Sequence, residues 1–278
     1  MTLTTATSSW SLSAAELKEF SANVPAPLIA DLLPSCGVVT FAGEPGCGKS
    51  FVALSWACAV AEGLPWFDKV TGDPKSVVYV LGEGWARFGD RVAAWEQAND
   101  HVLSDRLQFV DGASQGLDLT DEAKADDFVD NLAGLDPALV ILDTFSMLAH
   151  VRSENDNAEV AAVFAVAHKI VREVGCTVVL VHHVSKGASQ VRGATSFKGN
   201  ADTVVVAYRA KREDDPTFTL STDPRDDGKQ RDGEPVRLPG FSITSPGVLS
   251  RDAVAVQAAE TSNTLALLMG STGTEGVI

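Results

Sequence analysis

The octapeptide Gly43-Glu44-Pro45-Gly46-Cys47-Gly48-Lys49-Ser50 restricts this chain more than any other stretch of it. It fits the pattern G-x-x-x-x-G-K-[S/T], and its flanks are those the pattern needs. The apolar run Val38-Val39-Thr40-Phe41 precedes it and a helical stretch, Phe51 to Glu62, follows. Glycines at these spacings let backbone N–H groups curl around phosphate oxygens, and the helix N-terminus adds partial positive charge. Lys49 then reaches the terminal phosphates of a nucleotide and the Ser50 hydroxyl coordinates Mg2+. The expected cradle is Gly43, Glu44, Pro45, Gly46, Cys47, Gly48, Lys49, Ser50 and Phe51. Gly46-Cys47-Gly48 also opens a dinucleotide fingerprint, but Phe51 stands where its third glycine belongs and Lys-Ser has no role there.

A loop of this kind joins a strand to a helix, and the rest of the chain alternates in the same way. Val77–Val80, Leu107–Val110, Leu139–Leu142, Thr177–Val181 and Thr203–Val206 read as further short buried strands. Helical stretches lie between them, the clearest from Asn157 to Val174, with Gly175 placed to end it. The spacing predicts an α/β fold with a mostly parallel sheet flanked by helices. Residues 1–35 read as an arm and linker with one capping-box helix signal at Ser13–Glu16, and 36–250 as the main domain. Around Phe218-Thr219-Leu220 a polar stretch predicts a C-terminal β-hairpin extension, and 251–278 reads as a helix and loose tail.

The strand Leu139–Leu142 ends in Asp143, where a carboxylate holds magnesium through water beside a phosphate loop. An ordinary strand-end turn Asp is the plain alternative. Val77–Leu81 ends in Gly82-Glu83-Gly84. If that strand lies beside the phosphate-loop strand, Glu83 faces the terminal phosphate and serves as general base; a solvated loop Glu is the alternative. Val181-His182-His183-Val184 ends another strand, and adjacent strand residues point to opposite faces, so the pair is not a metal site. One of the two histidines is expected to sense the terminal phosphate and report to the loop that follows; a hydrogen-bonded strand-end histidine is the alternative.

That loop, Ser185 to Gly199, carries Lys186, Arg192 and Lys198 with no acidic residue before Asp202. The net charge of −15 means that the average surface repels polyanions, so any nucleic-acid contact rests on such a local basic segment. The loop after Asp143 offers only Arg152. Lys229 and Arg231, two apart in a polar hairpin, project to one side and could reach a neighbouring subunit's nucleotide. Solvated loops and a charged hairpin surface are the alternatives. No window approaches the 18 apolar residues of a membrane span and no signal-peptide pattern is evident, so the chain reads as cytoplasmic.

In order, these features resemble the RecA-like P-loop ATPase core of hexameric helicases and recombinases. The segments "FAGEPGCGKSFVALSWACAVAEG", "VVYVLGEG", "LVILDTFSML", "VVLVHHVSKG" and "RGATSFKGNADTVV" look most like RepA-type replicative helicases, plasmid- and phage-encoded relatives of the DnaB motor. The resemblance covers about residues 28 to 235. It implies ATP and Mg2+ on Lys49 and Ser50, Glu83 as catalytic base, Asp143 as the magnesium-linked acid and His183, with His182 as the second candidate, as phosphate sensor. It further implies Lys229 and Arg231 as fingers from the adjacent subunit of a homo-oligomer, a hexamer in that family. Single-stranded DNA would meet Lys186, Arg192, Lys198 and Arg152, with a replication initiator or a primase supplied by another polypeptide. A recombinase or strand-annealing ATPase and a KaiC-like regulatory ATPase are the rival readings. A small-molecule kinase fits least, because its Asp-ended strand usually lies beside the P-loop strand.

Overall fold

The structure, a computed structural model, describes residues 11–150, 157–184, 194–209 and 216–252. Six parallel strands form its centre: β1 (Gly37–Gly43), β2 (Val77–Leu81), β3 (Leu107–Asp111), β4 (Leu139–Asp143), β5 (Thr177–His183) and β6 (Thr203–Arg209). Four antiparallel strands follow: β7 (Phe218–Ser221), β8 (Lys229–Gln230), β9 (Arg237–Thr244) and β10 (Val248–Arg251). The order across the sheet is β10-β9-β7-β6-β1-β5-β4-β2-β3, with β8 paired to the start of β6. Each strand expected from the sequence is present, and the C-terminal extension is larger than the expected hairpin.

The central strands are apolar throughout because both faces are covered. Their side chains divide by alternation. Val39, Phe41, Tyr79, Ile141, Val179 and Val205 pack under α2 (Lys49–Glu62). Val38, Val78, Val140, Val178, Leu180 and Val204 face α4 (Glu122–Leu135), the short α5 (Phe145–Ala149), α6 (Asn157–Val174) and α7 (Ala194–Asn200). Helix α2 is buried continuously from Val52 to Ala61, because α3 (Phe88–Asn99) and the C-terminal strands cover the side turned away from the sheet. Trp66 stacks on Phe241 of β9 at 5.4 Å, and Phe241 on Phe218 of β7 at 5.7 Å. This aromatic run fixes the extension against α2, next to the P-loop.

Helix α6 spans the residues its periodicity indicated, and Gly175, with φ of 77°, ends it by donating to Val171 O. Helix α1 (Ala14–Ala22) has the expected capping box at Ser13 and Glu16, and none of its residues is buried. The packed core begins ahead of the boundary expected at residue 36: Leu28, Ile29, Leu32 and Leu33 are all buried in it. No described helix is long and apolar enough to cross a membrane. The helix expected after Ala253 lies outside the described residues.

Candidate active site

All six parallel strands end on one edge of the sheet, so the loops leaving them share one rim. The P-loop leaves β1 there. Gly48 caps α2 in the left-handed region (φ 92°) with Ile243 of β9 overhead, where an added Cβ would come within 3.2 Å. At Gly43 the constraint is space: a Cβ would lie 2.7 Å from Ala207 O of β6 and 2.9 Å from Cys47 Sγ. The loop therefore closes tightly against β6 before it opens onto the rim. Inside the curl, Lys49 Nζ donates to Gly43 O at 2.7 Å and Glu44 O at 2.9 Å, which sets its ammonium in the hollow of the loop. Burial pushes the Lys49 ammonium below the ordinary lysine range, with Cys47, Asp143 and Glu44 pulling the other way.

Asp143 ends β4, buried, with Oδ2 accepting from the Tyr79 hydroxyl at 2.6 Å. Burial, and then the Asp143 carboxylate itself, raise the Tyr79 hydroxyl well above the usual tyrosine range, so it stays a donor. The other oxygen, Oδ1, is buried with no partner among the described residues. Asp143 and Ser50 line one cavity of about 160 Å³. A hard, oxygen-seeking cation fits this pair: a hydroxyl opposite a carboxylate oxygen that lacks a donor.

Glu83 opens onto the same small cavity, but not by the route the sequence suggested. Strand β2 does not lie beside the P-loop strand; β4 and β5 stand between them, because β2 pairs with β3 and β4. Three strand spacings amount to roughly 14 Å. The gap is bridged by the rim: Gly82 N donates to Asp143 O at 2.7 Å, which carries the Glu83 loop back over β4. The Asp-ended strand β4 is likewise not beside β1, since β5 intervenes, and this order departs from the small-molecule kinase arrangement.

The β1 to β5 register brings Gly43 opposite His183, whose side chain falls on the α2 face with those of Val179 and Val181. His183 lines the larger cavity, of about 370 Å³, with the P-loop, and its Nδ1 is buried without a partner among the described residues. Burial and then Lys49 lower its imidazole below the ordinary value, so it is neutral near pH 7. His182 points to the opposite face. There it stacks on Phe197 of α7 at 4.0 Å and meets the edge of Phe145 of α5 at 5.9 Å, and burial pushes it down to about 4.

Lys229 and Arg231 sit far from this rim. Strand β8 pairs with Thr203 and Val204, the opposite end of β6 from Ala207 at the P-loop. Lys229 Nζ donates to Lys198 O at 2.9 Å and Ala201 O at 2.5 Å, at the end of α7, and Arg231 pairs with Asp202. Both side chains thus end where α7 leads into β6, and Arg231 lies just beyond the two-residue strand β8. Lys198 is half-buried on α7. Arg152, Lys186 and Arg192 lie outside the described residues.

Two cations in the site escaped sequence reasoning. Arg209, ending β6, donates to Gly46 O at 3.0 Å, and Arg91 of α3 borders both cavities. Neither belongs to a motif. Tyr79 was more accessible: a lone hydroxyl in the run Val-Val-Tyr-Val-Leu must find a partner when buried.

A phosphate loop, an Asp-ended strand one removed from it and a rim of further strand-end side chains define a RecA-like P-loop ATPase fold. The chain belongs to the family described as an AAA domain, whose family model matches residues 5–189. Among solved structures, the ATPase domain of another protein is similar at 14% identity and a TM-score of 0.56, covering 82% of this chain and 93% of that one. A KaiC-like protein from Pyrococcus horikoshii OT3 is similar at 16% identity and a TM-score of 0.52, covering 80% and 93%. No curated protein matches by sequence.

Proposed function

We propose that this chain is the ATP-hydrolysing motor of a ring-forming, DnaB-related helicase that translocates on single-stranded DNA during replication. The observation that carries the reading is the division of labour along β6. One end closes the P-loop, while the other holds Lys229 and Arg231, whose side chains reach the end of α7 and Asp202 rather than their own subunit's phosphate site. Cations at that end lie out of reach of their own subunit's phosphates, so on this reading they act as fingers on another copy's nucleotide in a homo-oligomer, a hexamer.

Within one subunit, the P-loop amides and Lys49 hold the phosphates. Magnesium, when bound, would be held by Ser50 and, through water, by Asp143, and it would neutralise charge developing on the phosphates. Glu83 takes the proton of the attacking water, and neutral His183 offers one N–H to the terminal phosphate. The backbone carries any displacement of His183 to His182, whose ring rests on Phe197 of α7, the helix that follows the basic loop. Lys186, Arg192 and Lys198, with Arg152, would meet the DNA backbone.

The test is ATP turnover of the purified chain with and without single-stranded DNA at two salt concentrations, with Lys49→Ala as blank. A salt-sensitive stimulation supports the reading, and Glu83→Gln should retain nucleotide while losing turnover. Two observations favour a second reading, a KaiC-like regulatory ATPase: the likeness to the Pyrococcus horikoshii protein and the net charge of −15. Turnover indifferent to DNA would select it. Strand annealing or exchange without fork unwinding would select a recombinase instead.

A further inference from the structure

Arg91 occupies the wall between the two cavities. On one side lie Lys49, His183 and the P-loop, and on the other Glu83 and Asp143, with Ser50 shared by both. Its guanidinium lies over the ring of Phe51 at 4.7 Å and near that of Phe88 at 5.3 Å. Phe51 follows Ser50 directly in the chain, and Phe88 precedes Arg91 by about one helical turn. Among the described residues no carboxylate forms an ion pair with it, although two line the adjoining cavity. The rings hold the charge in place and leave its hydrogen-bond donors unspent. A planar fork of five donors, poised beside the P-loop, matches the oxygens of a phosphoryl group.

We propose that Arg91 contacts the terminal phosphate of the bound nucleotide from within the same subunit. This deepens the ATPase reading above and rests on it. It also separates two classes of cation. Lys229 and Arg231 need a second copy, whereas Arg91 stands on the subunit's own rim, in the first turn of α3 and eight residues beyond Glu83. A guanidinium attached to the helix that follows Glu83 also ties the position of that carboxylate to the presence of the terminal phosphate.

The experiment measures equilibrium binding of ATPγS and of ADP to the full chain and to Arg91→Ala and Arg91→Lys, with Mg2+ in each case. Removing one charge-assisted bidentate contact should weaken ATPγS by about ten- to a hundred-fold. ADP affinity should stay near that of the unsubstituted chain, which also shows that the variant is folded. Arg91→Lys, which keeps the charge but loses the fork, should fall between. Equal weakening of both nucleotides, or of neither, would overturn the arginine assignment alone. Failure of the unsubstituted chain to bind either nucleotide would overturn the ATPase reading together with it.

Discussion

His182→Phe should flatten the acid side of the stability profile. In the folded chain the imidazole lies between Phe197 at 4.0 Å and Phe145 at 5.9 Å, almost fully buried, with Nδ1 unpartnered among the described residues. Burial first, then the charges of His183 and Lys49, push it from 6.5 down to about 4. The folded form thus refuses a proton that the unfolded form accepts, so between those values the unfolded state binds more protons. Stability contributed by this group is complete above the unfolded value and is lost as pH falls. Between pH 7 and pH 5 the loss from this group is about 2 kcal/mol. Phenylalanine fills a similar flat space in the same stack and does not titrate. The assay is urea unfolding of both proteins at pH 7, 6 and 5, read as the difference between their pH slopes, which cancels the carboxylates they share. Parallel slopes would refute the reasoning, whatever the variant's stability at pH 7.

Tyr79→Phe removes the hydroxyl that donates to Asp143 Oδ2 and should cost about 1–3 kcal/mol, seen as a lower unfolding midpoint, while raising the Mg2+ concentration needed for nucleotide binding. Gly43→Ala places a Cβ 2.7 Å from Ala207 O, so the P-loop must move and nucleotide binding should fall sharply at a stability cost of about 1–3 kcal/mol, checked by titration and thermal unfolding. Lys229→Met strands two carbonyls at the end of α7 and should destabilise the isolated subunit by about 1–3 kcal/mol, read from its urea midpoint. Arg231→Ala removes a half-exposed pair worth under about 1 kcal/mol, so a loss of turnover without a matching loss of stability distinguishes an inter-subunit finger from a brace.

The strands were legible because central parallel strands must be apolar on both faces, which leaves short unmistakable runs such as Val-Val-Tyr-Val-Leu. The P-loop was legible because its chemistry dictates residue types at fixed intervals. Sheet order was not, since periodicity reveals that a strand is buried but not beside which neighbour, and Glu83 was placed on the wrong premise for that reason. Alternation showed that His182 and His183 oppose each other; which of them meets the phosphate loop depends on which face of β5 turns toward α2, and periodicity does not carry that. Arg91 and Arg209 could not be found by pattern, because a cation on a helix or at a strand end has no spacing rule. The β9–β10 hairpin went unread because Pro239 and Gly240 interrupt the alternation that would have marked β9.

Among the described residues strand β1 pairs only with β5 and β6, both encoded far downstream, while β2 pairs with β3 and β4, and β4 also with β5. During synthesis the phosphate-loop strand therefore emerges early and waits about 140 residues, on the order of ten to thirty seconds, for its first partner. For that interval a seven-residue segment, buried throughout in the finished protein, has no place to go. A half-made chain thus presents an unpaired apolar strand, and a chaperone that holds nascent chains would find a target in the residues that lead into the phosphate loop.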